Sequence, residues 1–115
     1  MMAGHKDTSM KEARIVLPRS TGAWPLIVSH DALRTRLIKA FGGYTSTQGT
    51  NFRTDDGALN FTDAAIYDIA CDEHKDATFD KLFQIATEAG RALGQKAVYI
   101  RYPDGQVEIA KIDAT

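Results

Sequence analysis

Three carboxylates and one imidazole fall within five residues at Asp72, Glu73, His74 and Asp76, with Lys75 among them. Carboxylates and imidazoles hold divalent cations and move protons, so metal or acid–base chemistry is sought here first. The spacing matches neither a calcium loop nor a His-Glu-x-x-His helix. Lys75 also disfavours a bound cation. A solvated loop ahead of a helix accounts for the stretch better. A small enzyme using Asp72, His74 and Asp76, with Tyr67 nearby, stays open as an alternative.

The second chemistry-bearing set is the run Tyr44, Thr45, Ser46, Thr47, Gln48, Gly49, Thr50 and Asn51. It offers many neutral donors and acceptors. Two readings compete: an edge strand whose hydroxyls face water, or a ligand-facing loop for a sugar, a nucleotide or a partner's backbone. It is not a phosphate-cradling P-loop, because no Lys-Ser/Thr pair follows a glycine at the required spacing. Arg53 and Arg101 can meet an anionic group through bidentate hydrogen bonds. Tyr44, Tyr99 or Tyr102 can stack on a base. Trp24 is either a lid over one end of the core or a protein contact. The candidate binding residues are therefore Trp24, Tyr44, Thr45, Thr47, Gln48, Asn51, Arg53 and Arg101. No catalytic or metal-ligating residue is assigned, and no cofactor is expected. His30 is expected to be an exposed imidazole near a helix start.

These residues must be positioned by two helices and a sheet. Leu33, Leu37 and Phe41 recur every fourth residue, which predicts a helix over 31–41. Gly42-Gly43 then supplies a C-cap, and the Phe41-Gly42-Gly43 corner is the pivot of the chain. A second helix is predicted over 79–93 from the stripe Phe79, Leu82, Phe83, Ala86, Ala89, Gly90 and Leu93, with Gly94 as its cap. The small residues in that stripe allow close approach to a neighbour. Ile15-Val16-Leu17 predicts a central strand buried on both faces, closed by Pro18. Strands are predicted around 44–54, 58–61 and 65–71, with Asp55-Asp56-Gly57 as a turn, Gly49 as a bulge or bend and Thr62-Asp63 as a kink. A last pair, 97–102 and 106–112, is joined at Pro103-Asp104-Gly105. Cys71 is expected to be a small packed side chain.

The 115 residues suggest a polar tail over 1–13 and a single α+β domain over 14–115. The order strand, helix, strand pair, helix, strand pair predicts a ferredoxin-like β-α-β-β-α-β sandwich. Both helices would lie on one face of an antiparallel sheet, with an extra C-terminal edge strand. An open sheet face or a free edge of this kind suits a second copy, so a homo-oligomer, such as a homodimer, is expected.

Fourteen basic and fifteen acidic residues leave a net charge of −1, which argues against a general nucleic-acid binder. No apolar run approaches the roughly 20 residues needed to cross a membrane. One cysteine and no secretory signal make a cytoplasmic setting the default.

Phe41-Gly42-Gly43-Tyr44-Thr45, then Gly49, the Asp56-Gly57 turn and Gly94-Gln95-Lys96-Ala97-Val98-Tyr99 resemble a group of small, mostly uncharacterised proteins of bacteria, plasmids and phages. The resemblance spans roughly residues 14 to 110, with Phe52 where that pattern often carries Trp. It implies the ferredoxin-like fold and a phage or plasmid origin, and it brings no activity or catalytic residues.

With no nucleophile–base pair, metal template or cofactor loop, the first functional expectation is a non-catalytic protein-binding module, an inhibitor or regulator of a host or defence protein. Trp24, the Thr45 to Asn51 run and the N-terminal tail would be its contacts. The alternative is a binder of a small, anionic, nucleotide-like ligand, held between the pivot loop and a neighbouring subunit.

Overall fold

The computed structural model describes residues 10–18, 24–55, 58–72 and 76–112, with the backbone alone for 24–29, 50–55, 58–63 and 72. The elements are β1 (Met10–Pro18), α1 (Trp24–Phe41), β2 (Thr45–Asp55), β3 (Ala58–Asp72), α2 (Asp76–Ala92), β4 (Ala97–Arg101) and β5 (Val107–Lys111). The five strands form one antiparallel sheet in the order β2-β3-β1-β4-β5. The chain is thus α+β, with two helices and a five-stranded sheet.

Alternation along the strands divides the sheet into two faces. Ala13, Ile15 and Leu17 of β1, Tyr67, Ile69 and Cys71 of β3, and Val98 and Ile100 of β4 are buried together with Leu33 and Leu37 of α1 and Leu82 and Ile85 of α2. Both helices therefore cover this one face. They also touch each other through Arg36 and Glu88, which form an ion pair. Among the described residues no element covers the opposite face. There β5 presents Val107 and Ile109, 54% and 61% exposed, while Ala110 takes the covered side. β1 is accordingly buried on one face only, and Val16 is half-buried. The expectation of burial on both sides is corrected, because both helices lie on the same face and no described element covers the other.

Several boundaries differ from those read in the sequence. β1 begins at Met10, pairing Met10 with Asp72, so residues 10–13 belong to the sheet. α1 begins at Trp24, seven residues before the predicted start, and takes in Leu26-Ile27-Val28. Pro25 does not prevent this, since the first helical turn has no intrahelical acceptor for the N–H that proline lacks. β2 pairs with β3 without interruption from Thr45↔Asp68 to Asp55↔Ala58, which excludes both the bulge at Gly49 and the kink at Thr62-Asp63. Gly49 instead leaves room on the uncovered face: a Cβ there would stand 3.0 Å from Ile66 Cδ1. The ladder of β2 and β3 runs to the Asp55↔Ala58 pair, and the Asp56-Gly57 turn signal lies outside the described residues.

Two glycines end the helices as expected. Gly42 (φ 90) and Gly94 (φ 73) adopt a left-handed conformation that a Cβ would strain. Gly90 instead packs close to the sheet. A Cβ added there would lie 2.5 Å from Ile112 Cδ1 and 3.5 Å from Val98 Cβ. Replacing Gly90 with valine should therefore overpack the α2–sheet contact and cost about 1–3 kcal/mol, read from urea midpoints. An unchanged midpoint would refute the close approach.

Candidate functional site

Three cross-strand rows run over the uncovered face. The first joins Thr45, Asp68, Arg14, Arg101 and Val107 from β2 to β5. The second joins Thr47, Ile66, Val16, Tyr99 and Ile109. The third contains Gly49, Ala64 and Pro18, with Ala97 on β4 beyond them. Directly opposed residues of antiparallel strands share a face, so the register alone assembles these rows.

The second and third rows line a concavity of about 470 Å³, walled by Val16, Pro18, Ala64, Ile66, Tyr99 and Ile109, with Gln95 at its margin. Its lining side chains are mostly aliphatic around the flat ring of Tyr99, and polar atoms make up nearly half of the surface they leave open. Sites for small organic ligands commonly combine such a wall with a few polar groups at the edge. The first row supplies those groups. Arg14 grips Asp68 as a fork, Nε to Oδ1 at 2.7 Å and Nη2 to Oδ2 at 3.1 Å. That hydrogen bond, chiefly, holds the Arg14 guanidinium above its ordinary pKa. Thr45 and Thr47 stand exposed beside this row on the edge strand.

The structure brings only some of the expected residues together. Thr45, Thr47 and Arg101 share the uncovered face. Gln48 lies on the other side of β2, paired with Ala65. Tyr44 is on the helix side and packs edge-on against Tyr67, with centroids 5.6 Å apart. Asn51 and Arg53 lie in the β2–β3 ladder opposite Thr62 and Asn60, and their side chains are outside the described residues. The same holds for the Trp24 side chain. Glu73, His74 and Lys75 fall outside the described residues, and no cluster of metal-ligating side chains occurs among the described ones. Val16, Ile66 and Ile109 were missed. For Ile109 the local signal was the alternation of Val107 and Ile109 with Glu108 and Ala110 along an edge strand.

His30 is a second departure. It is buried, with Nδ1 2.7 Å from the Tyr67 hydroxyl and Nε2 2.9 Å from the Pro18 carbonyl. A carbonyl only accepts, so Nε2 donates to Pro18 and Nδ1 accepts from Tyr67. The earlier start of α1 turns His30 toward the sheet and explains why it is not exposed. Burial pushes the Tyr67 hydroxyl above its ordinary pKa, against the opposing pull of Arg34. Tyr67 is fully buried and ties α1 to β3 behind the concavity.

Cys71 is a packed side chain as expected, its thiol pushed up to about 11 by burial against an opposing backbone hydrogen bond at Ala13. A raised acid pKa makes the folded state hold its proton longer, so stability is lost as pH rises from 9 toward 11. At pH 10 the loss from this thiol should be about 1 kcal/mol. Urea unfolding at pH 8 and pH 10 should show a larger drop in the native protein than in Cys71→Ala. Equal drops would refute the assignment.

No helix among the described residues is long and apolar enough to cross a membrane. No family model matches the chain, and no curated protein matches it. Two solved structures match over nearly all of it. A phage SAM lyase in complex with S-methyl-5'-thioadenosine superposes with a TM-score of 0.65 at 16% identity, over 97% of this chain and 90% of that one. A phage SAM lyase in the apo state gives 0.62 at 19% identity, over 93% and 91%. At these identities the likeness is one of fold, and it overturns the expectation of a non-catalytic protein-binding module, because both neighbours of this fold are lyases and one of them holds a small molecule.

Proposed function

We propose that this protein is a small enzyme of lyase type that binds S-adenosylmethionine on the uncovered face of its sheet. The observation that carries the reading is the 470 Å³ concavity of aliphatic side chains around Tyr99, bordered by a charged row, on a chain that shares its fold with a SAM lyase. The adenine ring suits the flat Tyr99 side chain and its aliphatic neighbours. S-Methyl-5'-thioadenosine is what this substrate leaves when the bond between the sulfonium sulfur and the amino-acid chain breaks. The electron pair of that bond stays on sulfur and quenches its positive charge, while an oxygen of the substrate's own carboxylate bonds to the carbon that sulfur leaves, so the amino-acid portion departs as a lactone. A wall of aliphatic side chains favours a step that removes charge, because the charged reactant is less well solvated there than in water.

The test is direct. Purified protein incubated with S-adenosylmethionine should release S-methyl-5'-thioadenosine, detected by liquid chromatography and mass spectrometry. Release no faster than in buffer would overturn the reading.

Three finer features accompany it. The path β2-β3-β1-β4, in which each helical connection spans one intervening strand, supports a ferredoxin-like core with β5 as the added edge strand. A relationship to the small phage and plasmid proteins with the Phe-Gly-Gly corner is consistent with that core. A homo-oligomer is supported by the ribbon of β2 and β3 beyond the Gly49↔Ala64 pair, because two strands alone are marginal in water.

A further inference from the structure

Arg14 and Arg101 stand directly opposite each other on β1 and β4. Like charges in that position oppose one another and weaken the pairing unless something neutralises them. Asp68 neutralises one of the two. Its carboxylate is taken at both oxygens by Arg14. Arg101 is half-buried at the end of β4 and makes no ion pair or side-chain hydrogen bond among the described residues. Tyr99 lies two residues before it on the same face, about 7 Å along the strand. The register thus sets one uncommitted guanidinium beside the aromatic and aliphatic wall of the concavity.

The charges around it limit what it can take. Arg14 and Asp68 cancel. Glu12, two residues before Arg14 on the same face, is exposed and adds a negative charge one row further on. A di- or triphosphate would bring several negative charges toward both carboxylates. A single carboxylate needs only the fork of Arg101, whose paired N–H groups match its two oxygens.

We propose that Arg101 recognises the carboxylate of the ligand's amino-acid portion, so that this face selects adenosyl compounds carrying a free carboxylate over those without one. The proposal rests on the reading of the uncovered face as a site for S-adenosylmethionine. The carboxylate lies beside Arg101 while the nucleoside occupies the concavity. Asp68 acts at one remove, by holding the Arg14 guanidinium away from the ligand's anion.

Two probes separate the contributions. S-Adenosylhomocysteine carries the carboxylate and has no sulfonium bond to break, whereas S-methyl-5'-thioadenosine lacks the amino-acid chain altogether. Isothermal titration of the full chain should show Arg101→Ala weakening S-adenosylhomocysteine about ten- to hundredfold, the range of a charge-assisted hydrogen-bonded contact. Affinity for S-methyl-5'-thioadenosine should stay within about twofold, since no contact to it is removed. Arg101→Lys should recover part of the loss, because lysine restores the charge without the fork. Circular dichroism confirms that the variants fold. Equal losses for both probes, or no loss for either, would overturn the role of Arg101 while leaving the site standing. Failure of the native protein to bind either probe would overturn the site and the role of Arg101 together.

Discussion

Truncating Leu82 to alanine is expected to lower the unfolding free energy by about 2–5 kcal/mol. Leu82 is fully buried on α2, in the cluster that holds Leu37 of α1, Ile15 of β1 and Ile100 of β4. Shortening it removes apolar atoms from the layer that joins the helices to the sheet. The cavity left behind cannot close without moving two helices that already touch. Domains of this kind are stable by only about 5–15 kcal/mol, so the loss is a large share of the whole. Phe83, the next residue, is 41% exposed and supplies the contrast. Although it is the larger side chain, Phe83→Ala should cost less than about 1 kcal/mol, as expected of a surface position. Urea denaturation of the two variants separates them. Equal midpoints would mean that α2 does not present Leu82 to the sheet.

The second large effect concerns the uncovered face. Replacing Ile66 with lysine should weaken binding of S-adenosylhomocysteine more than a hundredfold and abolish any cleavage of S-adenosylmethionine. Ile66 stands in the second row between Thr47 and Val16 and lines the concavity. In the free protein a lysine there rests its stem on the aliphatic wall and keeps its ammonium in water, so the fold is retained. A bound nucleoside would bury that ammonium without a partner. Such burial costs several kcal/mol, and each 1.4 kcal/mol is tenfold in affinity. The effect is read by isothermal titration and by the rate of S-methyl-5'-thioadenosine release. Wild-type affinity and turnover in Ile66→Lys, with a native circular dichroism spectrum, would remove the concavity from the account.

Much of the architecture was legible because it rests on local rules. The periodic apolar stripe of α2 and the glycine caps at Gly42 and Gly94 each have a short-range cause. The element order follows from them. The start of α1 was not legible, because Trp24-Pro25 resembles an extended dipeptide more than a first helical turn. Gly49 was read as a bulge because a strand glycine often marks one. Its actual reason, clearance for Ile66, depends on a partner strand fifteen or more residues away. The site suffered most. Val107 and Ile109 alternate with Glu108 and Ala110, and apolar side chains are ordinarily assigned to the covered face. In β5 the small Ala110 faces α2, where space is short, and the large residues fall on the open side. His30 could not be placed either, since its partners Tyr67 and Pro18 are distant in sequence. Arg101 was legible as a candidate cation. Its position opposite Arg14, which leaves it uncommitted, needed the sheet register.

The central claim is that the uncovered sheet face is the ligand site. Methyl-resolved NMR of the full chain, titrated with S-adenosylhomocysteine, tests it most directly. The account predicts shifts at the methyl groups of Val16, Ile66 and Ile109, with Leu33, Leu37 and Leu82 on the helix side little changed. Shifts confined to the helix side, or none at saturating ligand, would contradict it.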